Sequence, residues 1–284
     1  MGNAATLRVL GSSVVNSISG WFRLYVAFLL AGKVPDLVLC FAFSFVVYSV
    51  YTLDRALKSK EDDVNRPEEK NAHKNFVLFI VAAFLVTALL ILIAKKISPF
   101  AALLPFAIGF LYTKGFKICS VSIKLKQGLG VKNFVVALTW AFTILAFIYN
   151  FIENYLQGFL IFIFFFFKSF INTVLFDCKD IDGDSIAGLA TIPVYFGEKR
   201  TGIILQLINS SFHLAVAAFV LLGLVEFDAV ILIYSWMAGL IYISLYANSK
   251  KTIFRSVIVH GEWTHMLAFR NLAIQFSRNA FYSS

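Results

Sequence analysis

The chain has 284 residues, 60% of them hydrophobic and only 14% charged, with a net charge of +9. An apolar share so far above the roughly 45–50% of soluble domains excludes a soluble globular fold, and basic residues without an aromatic-basic recognition module do not suggest a nucleic-acid partner. Three scattered cysteines, Cys40, Cys119 and Cys178, form no CxxC pair and therefore suggest neither a zinc nor a redox centre.

In chain order, Arg8 precedes an apolar stretch of span length that lacks a small-x-small cleavage signal, so it reads as a first membrane helix rather than a leader. Runs near the ~20 residues needed to cross the hydrocarbon core recur, and helices satisfy their own backbone hydrogen bonds there. The predicted spans are 10–31, 37–53, 76–94, 99–113, 133–149, 158–176, 203–223, 229–247 and 263–281. The ninth carries His265, Arg270, Gln275 and Arg278, so it reads as a wet bundle helix or an amphipathic surface helix. Alternating strands of about 10 residues, the mark of a membrane barrel, are absent. The expectation is one all-α polytopic domain over residues 1–284, a bundle of about nine transmembrane helices.

Loops retained in the cytoplasm should carry the excess of Lys and Arg. The N-terminal tail and the loops after the second, fourth, sixth and eighth spans hold eighteen of the twenty-five. This places the N-terminus in the cytoplasm of a multi-pass cell-membrane protein. Two acidic stretches, 54–69 and 177–184, fall on that side, each after the second helix of a four-helix group. An even number of crossings separates them, which allows two parallel four-helix halves.

The second stretch reads Asp177-Cys178-Lys179-Asp180-Ile181-Asp182-Gly183-Asp184. If the sixth helix continues to about residue 180, Asp177 and Asp180 share a face, and Asp184 can fold back from a turn at Gly183. Converging carboxylates repel unless a cation lies between them, so a divalent metal is one reading and a solvated acidic turn the other. An EF-hand fails on register, because Gly183 falls at position four rather than six. The first stretch contains Asp54-Arg55, Lys58, Asp62-Asp63 and Asn65-Arg66-Pro67. Asp54 at the membrane end of a helix needs a partner. Asp62, eight residues on, reaches the same site only if the helix continues or the loop folds back.

At these residues the chain resembles the UbiA superfamily of intramembrane prenyltransferases. That family's Asp-x-x-Asp-x-x-Gly-Asp, small residue-Gly, Thr-x-Pro-Val and Gly-Glu appear here as Asp177, Asp180, Gly183, Asp184, Ala187-Gly188, Thr191-Ile192-Pro193-Val194 and Gly197-Glu198. The first motif departs from the pattern. Val50 and Tyr51 stand where the family places Asn-Asp, Lys58 stands where the next Asp is expected, and Asp62 follows what looks like a four-residue insertion.

The resemblance implies metal-assisted ionisation of a prenyl diphosphate, with two Mg²⁺ held by Asp54, Asp62, Asp177, Asp180 and Asp184. The acceptor would be lipophilic: an aromatic quinone precursor, a glycerol-phosphate lipid, a chlorin or a haem. Donor and acceptor would meet within membrane lipid. Phosphate oxygens favour basic partners, which makes Arg23, Arg66, Lys114, Lys117 and Lys168 candidates for diphosphate binding together with Tyr112 and Asn172. Lys168 interrupts a Phe-rich run, and an ionised Lys near mid-membrane costs about 2.5–3.5 kcal/mol on insertion scales, so it should point inward, to the diphosphate or to a buried carboxylate. Most of the 32 Phe residues read as packing or lipid-facing, while some line the pocket. The rival readings are a terpene cyclase on the same scaffold and, from a different class, a secondary transporter. Transporter sites usually lie at the midplane, and these Asp clusters lie at helix ends.

Overall fold

A computed structural model describes residues 2–57, 72–114, 116–118, 121–123, 128–178, 180–186, 188, 190–248 and 252–282, with the side chains of 110–118, 121–123, 182, 247–258, 260 and 279–282 excepted. The described residues form α1 (Gly2–Ser12), α2 (Val14–Leu30), α3 (Leu37–Leu57), α4 (Lys74–Ala94), α5 (Phe100–Lys114), α6 (Val131–Ile148), α7 (Tyr155–Asp177), α8 (Ile181–Ile186), α9 (Ile192–Phe196), α10 (Glu198–Leu221), α11 (Ala229–Asn248) and α12 (Thr252–Tyr282). Between α5 and α6 a small antiparallel hairpin pairs β1 (Phe116–Ile118) with β2 (Val121–Ile123).

Successive long helices pack side by side, α2 on α3, then α4, α5, α6, α7, α10, α11 and α12, and α12 returns to α2 and closes the ring. Short connections favour such antiparallel neighbours. Close approach is built in at Gly20 of α2, where an added Cβ would stand 2.9 Å from Val47 of α3. The buried interior is apolar and aromatic, with Phe28, Phe43, Phe147, Phe164, Phe165 and Trp263 among its largest side chains. Cys40 and Cys178 are buried free thiols.

Among the described residues seven helical stretches are long and apolar enough to cross a membrane, with α1 and α2 counted together as one. Two of the nine expected spans fall outside that set. α5 has 15 residues, about 22 Å of helix against a hydrocarbon core of about 30 Å. α12 begins at Thr252, eleven residues before the expected start of the ninth span, and runs 31 residues. Arg270, predicted within that span, pairs with Asp228 in the α10–α11 connection. The segment that crosses the bundle therefore precedes Arg270, because its charge is anchored at the bundle end.

That end is stitched by ion pairs and hydrogen bonds. Lys33 pairs with Glu153, and Lys95 with Asp36 at 2.6 Å. Gln157 donates to the carbonyls of Leu30 at 3.0 Å and Glu226 at 3.1 Å. Asp36 also caps α3, its Oδ1 accepting from the N–H groups of Val38 and Leu39. The last turns of α3 and α7, which carry Asp54 and Asp177, lie at the opposite end.

Candidate active site

α7 starts cleanly, with Asn154 Oδ1 accepting from the Leu156 N–H at 2.8 Å, and it delivers Asp177 as its last residue. α7 ends there rather than at about residue 180, and α8 starts at Ile181. The Asp180 N–H donates to the Asp177 carbonyl at 3.0 Å, and the Asp184 N–H donates to the Asp180 carbonyl at 2.8 Å. Gly183 lies inside α8 rather than at a turn. Residues 177, 180 and 184 follow one another at the three- and four-residue steps that stack side chains on a helix. Asp177 and Asp184 are buried, and Asp180 is half-buried.

Both oxygens of Asp177 are held by the first turn of α6. Lys132 Nζ lies 3.0 Å from Oδ1, and Asn133 Nδ2 lies 2.7 Å from Oδ2. That turn is set by Gly130, whose φ of +68° is left-handed and whose missing Cβ leaves room for Ile192. Asn133 is 1% exposed, and its Oδ1 has no hydrogen-bond partner in the structure. Sequence reasoning counted Lys132 only as a loop charge and passed over Asn133. The available signal was a Lys-Asn pair opening an otherwise apolar span on the acidic side.

Asp54 is exposed on the last turn of α3, where the helix dipole disfavours an anion. Asp62 and Arg66 lie outside the described residues. Tyr112 and Lys114 fall in the last turn of α5 and Lys117 in β1, with side chains that are not described. Tyr51 faces α6, its hydroxyl accepting from Trp140 Nε1 at 3.4 Å.

A second cluster lies deeper. Lys168 stands nine residues before Asp177 on α7, about 14 Å along the axis. Its ammonium is wholly buried and pairs with Glu262 of α12. It also donates to the Tyr242 hydroxyl at 2.8 Å and to the Ser235 carbonyl at 3.4 Å. An ammonium has three N–H donors, and these three partners take them all. Arg23 of α2 donates to Ser169 Oγ at 3.0 Å, with its guanidinium carbon 4.2 Å from the Trp140 ring centre and 5.0 Å from that of Trp263. Asn172, one turn beyond Lys168 toward Asp177, is buried, and neither atom of its amide has a partner in the structure.

Five helices thus converge on one charged and aromatic layer. Lys168 faces inward, as its intramembrane position predicts, and the group it meets is a carboxylate. Glu262 was missed because the expected ninth span began at residue 263. The lone acid of the C-terminal segment was the signal.

Among the described residues no three His, Cys, Asp or Glu side chains are close enough to hold an ion. Asp177 nonetheless fits a hard divalent cation. It already holds one cationic group, the Lys132 ammonium, and a carboxylate is the hard oxygen donor that such an ion takes.

The family model of the UbiA prenyltransferase family matches residues 25–260. No curated protein matches. The fold is similar to a UbiA homologue from Archaeoglobus fulgidus, at 17% identity and a TM-score of 0.60 over 95% of this chain and 99% of that one. It is similar to the same homologue bound to GPP and Mg²⁺, at 16% identity and a TM-score of 0.59 over 95% and 99%. A digeranylgeranylglyceryl phosphate synthase is similar at 15% identity and a TM-score of 0.56, over 95% of each chain.

Proposed function

The chain belongs to the UbiA prenyltransferase family, and we propose that it transfers a prenyl group from a prenyl diphosphate to a lipophilic acceptor within the membrane. The observation that carries this reading is that Asp177, Asp180 and Asp184, linked by backbone hydrogen bonds, occur at the bundle end that Asp54 also occupies. The Archaeoglobus homologue with GPP and Mg²⁺ supports the same donor class and the same metal here. In this reading Asp54, Asp62, Asp177, Asp180 and Asp184 hold two Mg²⁺. Bound there, the metal would supply neutralisation of the departing diphosphate and so ease ionisation at the allylic carbon.

The chain's own residues do the rest. Arg66, Lys114 and Lys117, with Tyr112, bind diphosphate oxygens through charge-assisted hydrogen bonds. Asn172, one turn from Lys168, and Arg23, bonded to Ser169 and set over the rings of Trp140 and Trp263, belong to the deeper layer. Lys168 is removed from the diphosphate set, because its three donors are taken and it lies about 14 Å beyond Asp177 along α7. Its role is to neutralise Glu262. Both acidic motifs and the N-terminus are assigned to the cytoplasm on the loop charges.

The test is incubation of purified protein with Mg²⁺, labelled prenyl diphosphates and a panel of acceptors, with product mass as the readout. Mg²⁺-dependent formation of a prenylated acceptor is expected. Equal diphosphate release with and without acceptor, with a cyclic hydrocarbon as product, would convert the reading to a cyclase. No Mg²⁺-dependent release from any donor would overturn it.

A further inference from the structure

We propose that the first turn of α6 belongs to the metal–diphosphate site, with Asn133 Oδ1 as an oxygen ligand to a cation at Asp177 and Lys132 as a counter-charge that leaves Asp177 for the diphosphate. The inference rests on the functional reading above and extends it to two residues on a helix that carries neither acidic motif.

The Asn133 amide is oriented by its bond to Asp177, since Nδ2 donates to Oδ2 at 2.7 Å. The other end of the same planar amide, Oδ1, is therefore held beside the same carboxylate. It is buried and has no hydrogen-bond partner. A buried amide oxygen without a donor is costly, and the same position would be favourable for a ligand to a hard cation, which takes carboxylate and amide oxygens alike. The first acidic stretch leaves a need for such a ligand. It offers Val50, Tyr51 and Lys58 rather than further acids, and the Tyr51 hydroxyl is engaged by Trp140.

Lys132 shows the complementary behaviour. Its ammonium lies 3.0 Å from Asp177 Oδ1, where a metal ion would also bind, and its side chain is 46% exposed. A compact charge on a four-carbon stem can move without disturbing the helix that bears it. A divalent cation at Asp177 would repel the ammonium, and the arriving diphosphate would be the nearest new anion. The positive charge would thus pass from the carboxylate to the leaving group, and the buried Asp177 would keep a cationic partner before and after.

The test uses full-length protein in detergent and two probes. The first is Mn²⁺ alone, followed by electron paramagnetic resonance. The second is geranyl thiodiphosphate, a slowly reacting analogue, titrated calorimetrically at saturating Mg²⁺. Lys132→Met should tighten Mn²⁺ at least threefold and weaken the analogue about tenfold, the size of one lost charge-assisted hydrogen bond, while Lys132→Arg stays near the parent. Asn133→Leu should weaken Mn²⁺ about tenfold, as expected for a lost ligand or ligand-supporting group. Asn133→Asp should tighten it, a gain that misfolding cannot produce. Parental binding of both probes by Lys132→Met and Asn133→Leu would overturn the inference. If Asp177→Asn loses Mn²⁺ at the same time, the functional reading survives that failure. If Asp177→Asn also binds Mn²⁺ normally, both fall.

Discussion

Lys168 and Glu262 form a pair with side-chain exposures of 0% and 1%, at mid-depth in the bundle. Lys168→Met removes the ammonium and leaves the Glu262 carboxylate buried and uncompensated, and Glu262→Gln does the reverse. Breaking a buried pair from one side typically costs about 3–5 kcal/mol, comparable with the 2.5–3.5 kcal/mol of a single mid-membrane charge. Replacing both partners removes both charges together, and such replacements are often neutral or stabilising. Each single variant should therefore melt roughly 10 °C below the parent in detergent, and Lys168→Met/Glu262→Gln should recover most of that loss. The double-mutant cycle isolates the pair because the two residues touch. The folded fraction of Lys168→Met should bind geranyl thiodiphosphate normally, because none of the three donors is free for it. Single variants as stable as the parent, or a double variant no better than the worse single, would refute the pairing argument. Weakened binding by fully folded Lys168→Met would return Lys168 to the diphosphate site.

Asp54→Asn, Asp177→Asn and Asp180→Asn should each weaken Mg²⁺-dependent prenyl diphosphate binding about tenfold or more, measured calorimetrically, with Asp182→Asn much milder because it lies off the face shared by 177, 180 and 184; undiminished binding in all three would remove the metal site. Gly130→Ala forces a left-handed conformation on a residue with a Cβ, which would also meet Ile192 Cδ1 at 3.0 Å, so a loss of about 1–2 kcal/mol is expected by thermal unfolding, and an unchanged melting temperature would contradict the backbone at the start of α6. Burial alone would raise the Asp36 carboxyl, but the Lys95 ammonium and the N–H groups of Leu39 and Val38 outweigh it and hold it below the usual carboxylate range. The stabilisation is therefore complete above the ordinary value near ~4 and is lost as pH falls through the lower folded value. The pair is half-buried and open to solvent screening, with the Asp36 side chain 23% exposed, so the effect is small. Asp36→Asn should flatten the acid limb of melting temperature against pH, and an identical limb in the variant would refute the assignment.

Hydropathy and short-range spacing are local properties, and so they were legible in the chain alone. A run of about 20 apolar residues must become a helix in hydrocarbon, because only a helix satisfies its backbone within the segment. The all-helical membrane fold and the inward direction of Lys168 follow from that. Tertiary packing decided the rest. α12 took its register from Arg270 meeting Asp228 across 42 positions, which no window of hydropathy contains. Glu262 found Lys168 94 positions away, and Lys132 and Asn133 found Asp177 across 45 and 44. A buried charge or amide requires a partner wherever it lies, so its presence can be read from the sequence. The partner is chosen by which helices stand side by side, and in lipid that choice rests on close packing and interhelical hydrogen bonds rather than on the apolar pattern of any one segment.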